Sequence, residues 1–159
     1  MAVLVLLMLS ACGVQKAAPL VELPYRNPTA VMGGTTRFDP ARFAGEWHVV
    51  ARFGQESLAP RSYVYDAARG VIRESGAEPR LYRVSGPGIL SQFDPVSDER
   101  LVVMWVDEGF RTAALGTVSG QRGVILDRSP QAAPDRLAAA IEILDFNGWD
   151  TGRLQKVNR

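Results

Sequence analysis

Between residues 47 and 126, eight short runs rich in β-branched and aromatic residues follow one another at nearly even spacing. They are Trp47–Phe53, Ser62–Tyr65, Val71–Arg73, Leu81–Val84, Ile89–Phe93, Leu101–Val106, Phe110–Val118 and Gly123–Leu126. Such runs read as strands. Most of the links are brief and carry turn chemistry, among them Asp66-Ala67-Ala68-Arg69-Gly70, Ser85-Gly86-Pro87-Gly88, Asp107-Glu108-Gly109 and Ser119-Gly120. Links this short force antiparallel pairing, because parallel neighbours need a long crossover. An eight-strand meander leaves two bare edges unless it closes on itself. The expected fold is therefore all-β, an eight-stranded antiparallel up-and-down β-barrel.

One helix is expected after the strands. Pro134 and Asp135 suit a first turn, Leu137, Ile141 and Leu144 recur at helical spacing, and Gly148 follows as a C-terminal stop. That apolar stripe is the face expected to pack on the barrel wall. Leu154–Val157 then reads as a ninth short strand.

The chain's 159 residues suit one domain, and 47% hydrophobic content is enough for a packed core. Lys plus Arg number 18 against 17 Asp plus Glu, a net charge of +1 with no basic stripe, so no nucleic-acid partner is expected. Cys12 is the single cysteine and His48 the single histidine. The folded part thus has no disulfide and no thiolate or multi-histidine metal site, and neither a metal nor a cofactor is expected. His48 falls on the outward face of the first strand and reads as a surface residue. Gly116-Thr117-Val118-Ser119-Gly120 lacks the nucleophile-elbow spacing, and Gly86-Pro87-Gly88 is a turn, not a phosphate loop. The pairs Asp98-Glu99 and Asp107-Glu108 fall in turns. An enzyme on this scaffold needs ionisable groups converging inside the barrel. The sequence reveals no such cluster, so the expectation is a binder and not an enzyme.

Residues 1–11, Met-Ala-Val-Leu-Val-Leu-Leu-Met-Leu-Ser-Ala, carry no charge and read as an export signal. Leu9-Ser10-Ala11-Cys12-Gly13 resembles the lipobox of bacterial lipoproteins. The resemblance implies cleavage before Cys12 and acylation of that residue with more than one chain, which is what stable membrane anchoring requires. Gly13, in place of aspartate, implies sorting to the outer membrane, with the domain facing the periplasm. Residues 13–37 hold three prolines and Gly33-Gly34, and read as a flexible tether. The expected division is signal 1–11, acylated Cys12 and tether 12–37, and barrel domain 38–159.

Three further segments carry a second resemblance. Phe38-Asp39-Pro40-Ala41-Arg42-Phe43-Ala44-Gly45-Glu46-Trp47 holds a Gly-x-Trp, Trp105–Thr112 spans a strand turn, and Val124–Pro130 places Arg128 after the last barrel strand. In this order they resemble the lipocalin family, in its bacterial outer-membrane lipoprotein branch. The resemblance implies that Trp47 plugs the closed end under a 3₁₀ turn at Asp39–Phe43. It also implies that Arg128 lies across the indole and that Gly45 admits the covering turn. Gly45, Trp47 and Arg128 are structural in that reading. The chain lacks the cysteine pair of many relatives, and its Gly54–Arg61 link at the open end is short.

Function is then expected in the lumen. Strand alternation places Trp47, Val49, Ala51 and Phe53 on one face of the first strand, taken as inward. Tyr63 and Tyr65 are taken as inward on the second. An outward Arg111 places Phe110, Thr112, Ala114 and Gly116 inward on the seventh. The candidate ligand-lining residues are Val49, Ala51, Phe53, Tyr63, Tyr65, Phe110, Thr112 and Ala114. They describe a mostly apolar lumen whose small residues leave a cavity. The expected ligand is a small hydrophobic molecule, fatty acid or lysophospholipid, held by a monomer or weak dimer in the cell envelope. The alternatives are a pigment, tetrapyrrole or quinone, or an envelope scaffold with a filled barrel.

Overall fold

A computed structural model describes residues 23–94 and 97–157. The expected signal and the acylation site Cys12 lie outside the described residues. Eight strands run β1 Gly45–Arg52, β2 Arg61–Asp66, β3 Val71–Ser75, β4 Arg80–Gly86, β5 Ile89–Gln92, β6 Arg100–Val106, β7 Thr112–Thr117 and β8 Gly123–Asp127. All neighbours pair antiparallel in sequence order, and β1 pairs with both β8 and β2, which closes the barrel. Each expected strand forms where its apolar, β-branched run lies. Helix α1, Pro40–Phe43, precedes the barrel; α2, Pro134–Phe146, follows it. Strand β9, Gln155–Lys156, adds to β1 at Ala51 and Arg52.

Helix α1 covers one end. Asp39 caps it, its carboxylate accepting from the amides of Ala41 (2.9 Å) and Arg42 (3.1 Å), so the expected 3₁₀ turn is a single α-helical turn instead. The turn drives Phe43 into the barrel, between Trp47 and Tyr63, with ring centroids 5.0 and 4.9 Å away. The Trp47 indole donates to the Phe43 carbonyl at 2.8 Å. The Arg128 guanidinium lies 3.8 Å from the centre of the Trp47 ring and donates to the carbonyls of Arg42, Ala44 and Glu46. Gly45 has φ +102°, and a Cβ there would come within 3.1 Å of that guanidinium.

Two buried clusters share the barrel wall. The inner one holds Trp47, Val49, Tyr63, Ile72, Tyr82, Leu90, Val103, Phe110, Ala113, Leu115 and Leu126, with Tyr65 packed against it. The outer one lies under α2 and holds Val50, Ala51, Phe53, Met104, Ala114, Ile125, Ala140, Leu144 and Trp149. Residues Leu137 and Ile141 of α2 pack on this layer.

The outer side of the barrel wall corrects five inward assignments. A bulge at Val50 separates the pairs Val49–Leu126 and Ala51–Ile125, so Ala51 and Phe53 turn outward while Val49 stays inside. On β7, Arg111 belongs to a turn held by Asp107, which accepts from the amides of Arg111 and Thr112, and Phe110 has φ +53°. The alternation begins only at Thr112, so Ala113 and Leu115 point in. Thr112 points out, donating to Asp127 (2.5 Å) and accepting from Arg136 of α2. Ala114 and Gly116 lie beneath the helix side. A Cβ on Gly116 would sit 2.1 Å from the Trp149 indole, so glycine here serves outer packing and not the lumen.

The later part of the segment expected as a flexible tether is instead packed on the barrel. Residues 24–35 form a strap along the barrel that packs against the end of α2. The Tyr25 amide donates to Gly120, the Asn27 amide to Gly148 and the Thr35 amide to Val103. Tyr25 is buried against Phe53 at 5.6 Å, and the buried Arg26 donates to the Asn147 carbonyl at 2.9 Å. The folded unit thus includes the segment from Pro24 onward, since an aromatic ring and a guanidinium both find buried partners there.

Candidate functional site

The end opposite α1 is where loops 54–60 and 118–122 emerge, and there the inward row is charged. Alternation carries Arg61 in phase with Tyr63, Glu74 with Ile72 and Arg80 with Tyr82. Glu56 and Arg122 reach in from the two loops. Arg61 donates to Glu74 at 3.2 Å and to Glu56 at 2.5 Å; Arg122 donates to Glu56 at 2.6 Å. The Tyr63 and Tyr82 hydroxyls donate to the two Glu74 oxygens at 3.2 and 3.1 Å. At the rim Arg80 is paired with Glu78.

Glu56, Arg61, Glu74, Glu78, Arg80 and Arg122 line a cavity of about 310 Å³ that opens to solvent. Tyr25 and Phe53 form an aromatic wall, and Arg61, Arg80 and Arg122 bring three guanidinium groups to it. No residue of the inner apolar cluster lines it. The cavity therefore ends at the ion cluster, and the apolar interior starts beneath Tyr63 and Tyr82. The expectation of a mostly apolar lumen is corrected at the mouth. Burial would raise the Glu56 carboxyl, but Arg122 and Arg61 outweigh it and hold it below its ordinary value. Burial, with the negative Glu74 beside it, pushes Tyr63 well above its ordinary value and Tyr82 up to about 12.

The fold compares closely with solved structures, one of which is the bovine lipocalin allergen Bos d 2. The two superpose with a TM-score of 0.59 at 10% identity, over 75% of this chain and 94% of the other. The barrel has the lipocalin fold. No protein-family model matches the chain, and no curated protein matches it in sequence. Within this lipocalin barrel, the expected lining residues divide. Val49, Tyr63, Tyr65 and Phe110 face the interior, with Phe110 at the closed end under Arg42. Ala51, Thr112 and Ala114 lie outside the lumen, and Phe53 reaches the mouth cavity from the outer layer. His48 is half-buried rather than a plain surface residue, and its Nδ1 finds no hydrogen-bond partner among the described residues.

Glu56, Arg61, Glu74, Arg80, Tyr82 and Arg122 were absent from the sequence expectation. A signal for three of them existed: Arg61, Glu74 and Arg80 each stand in the inward phase of a strand, at the end bordering the mouth. Glu56 and Arg122 sit on loops, and no periodicity points to them.

Proposed function

We propose that this chain is a membrane-anchored binding protein for a small amphiphile, a fatty acid or lysophospholipid, in the bacterial cell envelope. The ligand's polar end lies against the guanidinium groups of the mouth and its apolar part along Tyr25 and Phe53. What carries the reading is one cavity with an aromatic wall and three arginines, at the lower end of the ~300–1,000 Å³ typical of ligand pockets. Cys12 supplies the anchor, through acyl chains at the outer membrane. Binding, and not catalysis, agrees with the titration behaviour of the cluster. Glu56 is held ionised and Tyr63 and Tyr82 are held neutral, each moved away from the near-neutral range that acid–base work requires.

Native mass spectrometry of the full chain incubated with oleate or lysophosphatidylcholine tests the binding. One bound amphiphile per chain is expected, and no adduct with either contradicts it. The intact mass of the mature chain tests the anchor. A product starting at Cys12 with added acyl mass supports it, and an unmodified thiol overturns it.

A second reading, an envelope scaffold with a closed barrel, is favoured by one observation. The interior below Tyr63 and Tyr82 is walled off from the cavity by buried, paired charges. Admitting a ligand to the deep lumen would separate those partners, at a cost of about 3–5 kcal/mol for an unpaired buried charge.

A further inference from the structure

The six charged groups at the mouth are not equally tied down. Glu74 is held by Arg61, Tyr63 and Tyr82, and Glu56 by Arg61 and Arg122. These two carboxylates and two guanidinium groups form a closed, neutral set. Arg80 and Glu78 stand apart from it. The Arg80 side chain is 15% exposed, whereas that of its partner Glu78 is 73% exposed. Arg80 also donates to the Glu78 carbonyl at 3.4 Å. Little hydration is regained when the Glu78 carboxylate swings away, because most of it is already in water. The guanidinium is mostly out of water and needs an anion beside it. A guanidinium takes a carboxylate or a phosphate with equally good fork geometry.

We propose that Glu78 is a built-in stand-in for the ligand, and that an amphiphile with a compact anionic head displaces it from Arg80. The site thereby selects oxyanion heads over uncharged ones, and Glu78 sets the affinity by competing for the same guanidinium. This inference rests on the reading of the mouth as an amphiphile site and adds to it the charge of the head and the residues that choose it. Carboxylate and phosphate heads share the chemistry, and the measurement separates them.

Titration calorimetry of the full chain with laurate, dodecyl phosphate and uncharged monolaurin is the test, repeated on Glu78→Gln and Arg80→Gln. Glu78→Gln is expected to tighten laurate or dodecyl phosphate by roughly 2- to 5-fold, the strength of an exposed ion pair, and the head that gains more is the better fit. Arg80→Gln is expected to weaken both anions by on the order of 10-fold. Monolaurin should respond to neither change. Equal binding of all three ligands, or anion binding that Glu78→Gln leaves unchanged or weakens, overturns the exchange while leaving the mouth site standing. Failure of wild type to bind any of the three removes the mouth site and the exchange with it. Glu78 is exposed, so its substitution leaves the fold intact; if Arg80→Gln proves unstable, Arg80→Lys, which keeps the charge but loses the fork, should bind both anions more weakly than wild type, and unchanged affinity would overturn the exchange.

Discussion

The Glu74 carboxylate is tightly constrained, because it is buried and both of its oxygens are committed. Arg61 balances its charge, and the Tyr63 and Tyr82 hydroxyls donate one to each oxygen. Arg61→Leu would leave Glu74 buried and unpaired, and is expected to destabilise the fold by about 3–5 kcal/mol in urea unfolding. The double change Arg61→Leu with Glu74→Leu should recover much of that loss, because it removes both charges together. The tyrosines report the same cluster in alkali. Their pKa values are raised in the folded chain, so the neutral form stabilises the fold below the unfolded value near 10. For Tyr82 that stabilisation is lost as pH rises from there to about 12. Tyrosinate absorbance should show a late phase near pH 12 that Tyr82→Phe removes in part; ionisation of every tyrosine near pH 10 would contradict the cluster.

At the scale of elements, the eight strands were legible because their signal is local. An apolar, β-branched run between tight turns reads the same whatever lies around it. The facing of those strands was less legible, for reasons found only in three dimensions. The bulge at Val50 is set by how β1 meets β8, and nothing in Trp47–Arg52 announces it. On β7 the exposed Arg111 invited a count of alternation from a residue that belongs to the Asp107 turn. The small residues Ala114 and Gly116 then looked like lumen space, whereas they make room for the helix side and Trp149. Gly116→Ala tests that packing. The added methyl collides with the indole, and a loss of about 1–3 kcal/mol is expected in thermal or urea unfolding. A neutral or stabilising result would place Gly116 in open space.

Across the whole molecule, one end of the barrel is sealed by α1, Trp47 and Arg128, and the other carries the charged cavity. The sealed end was legible through the lipocalin resemblance that Gly45, Trp47 and Arg128 help to carry, because the roles it implies are met here by an indole packed under a guanidinium. The cavity was only half legible. Arg61, Glu74 and Arg80 stand in inward phase, but Glu56 and Arg122, which complete the ion cluster, arrive from loops. Tyr25 supplies a wall, so the strap is part of the site. In the proposed function the ligand sits at this mouth and not deep in the barrel. Trp149 lies 4.9 Å from Phe53, which lines the cavity, whereas Trp47 lies at the sealed end. Fluorescence quenching by a bromine-labelled fatty acid therefore locates the tail. Saturable quenching is expected that survives Trp47→Phe and is lost in Trp149→Phe. Quenching that is lost with Trp47 and retained without Trp149 would put the ligand in the deep lumen and contradict it.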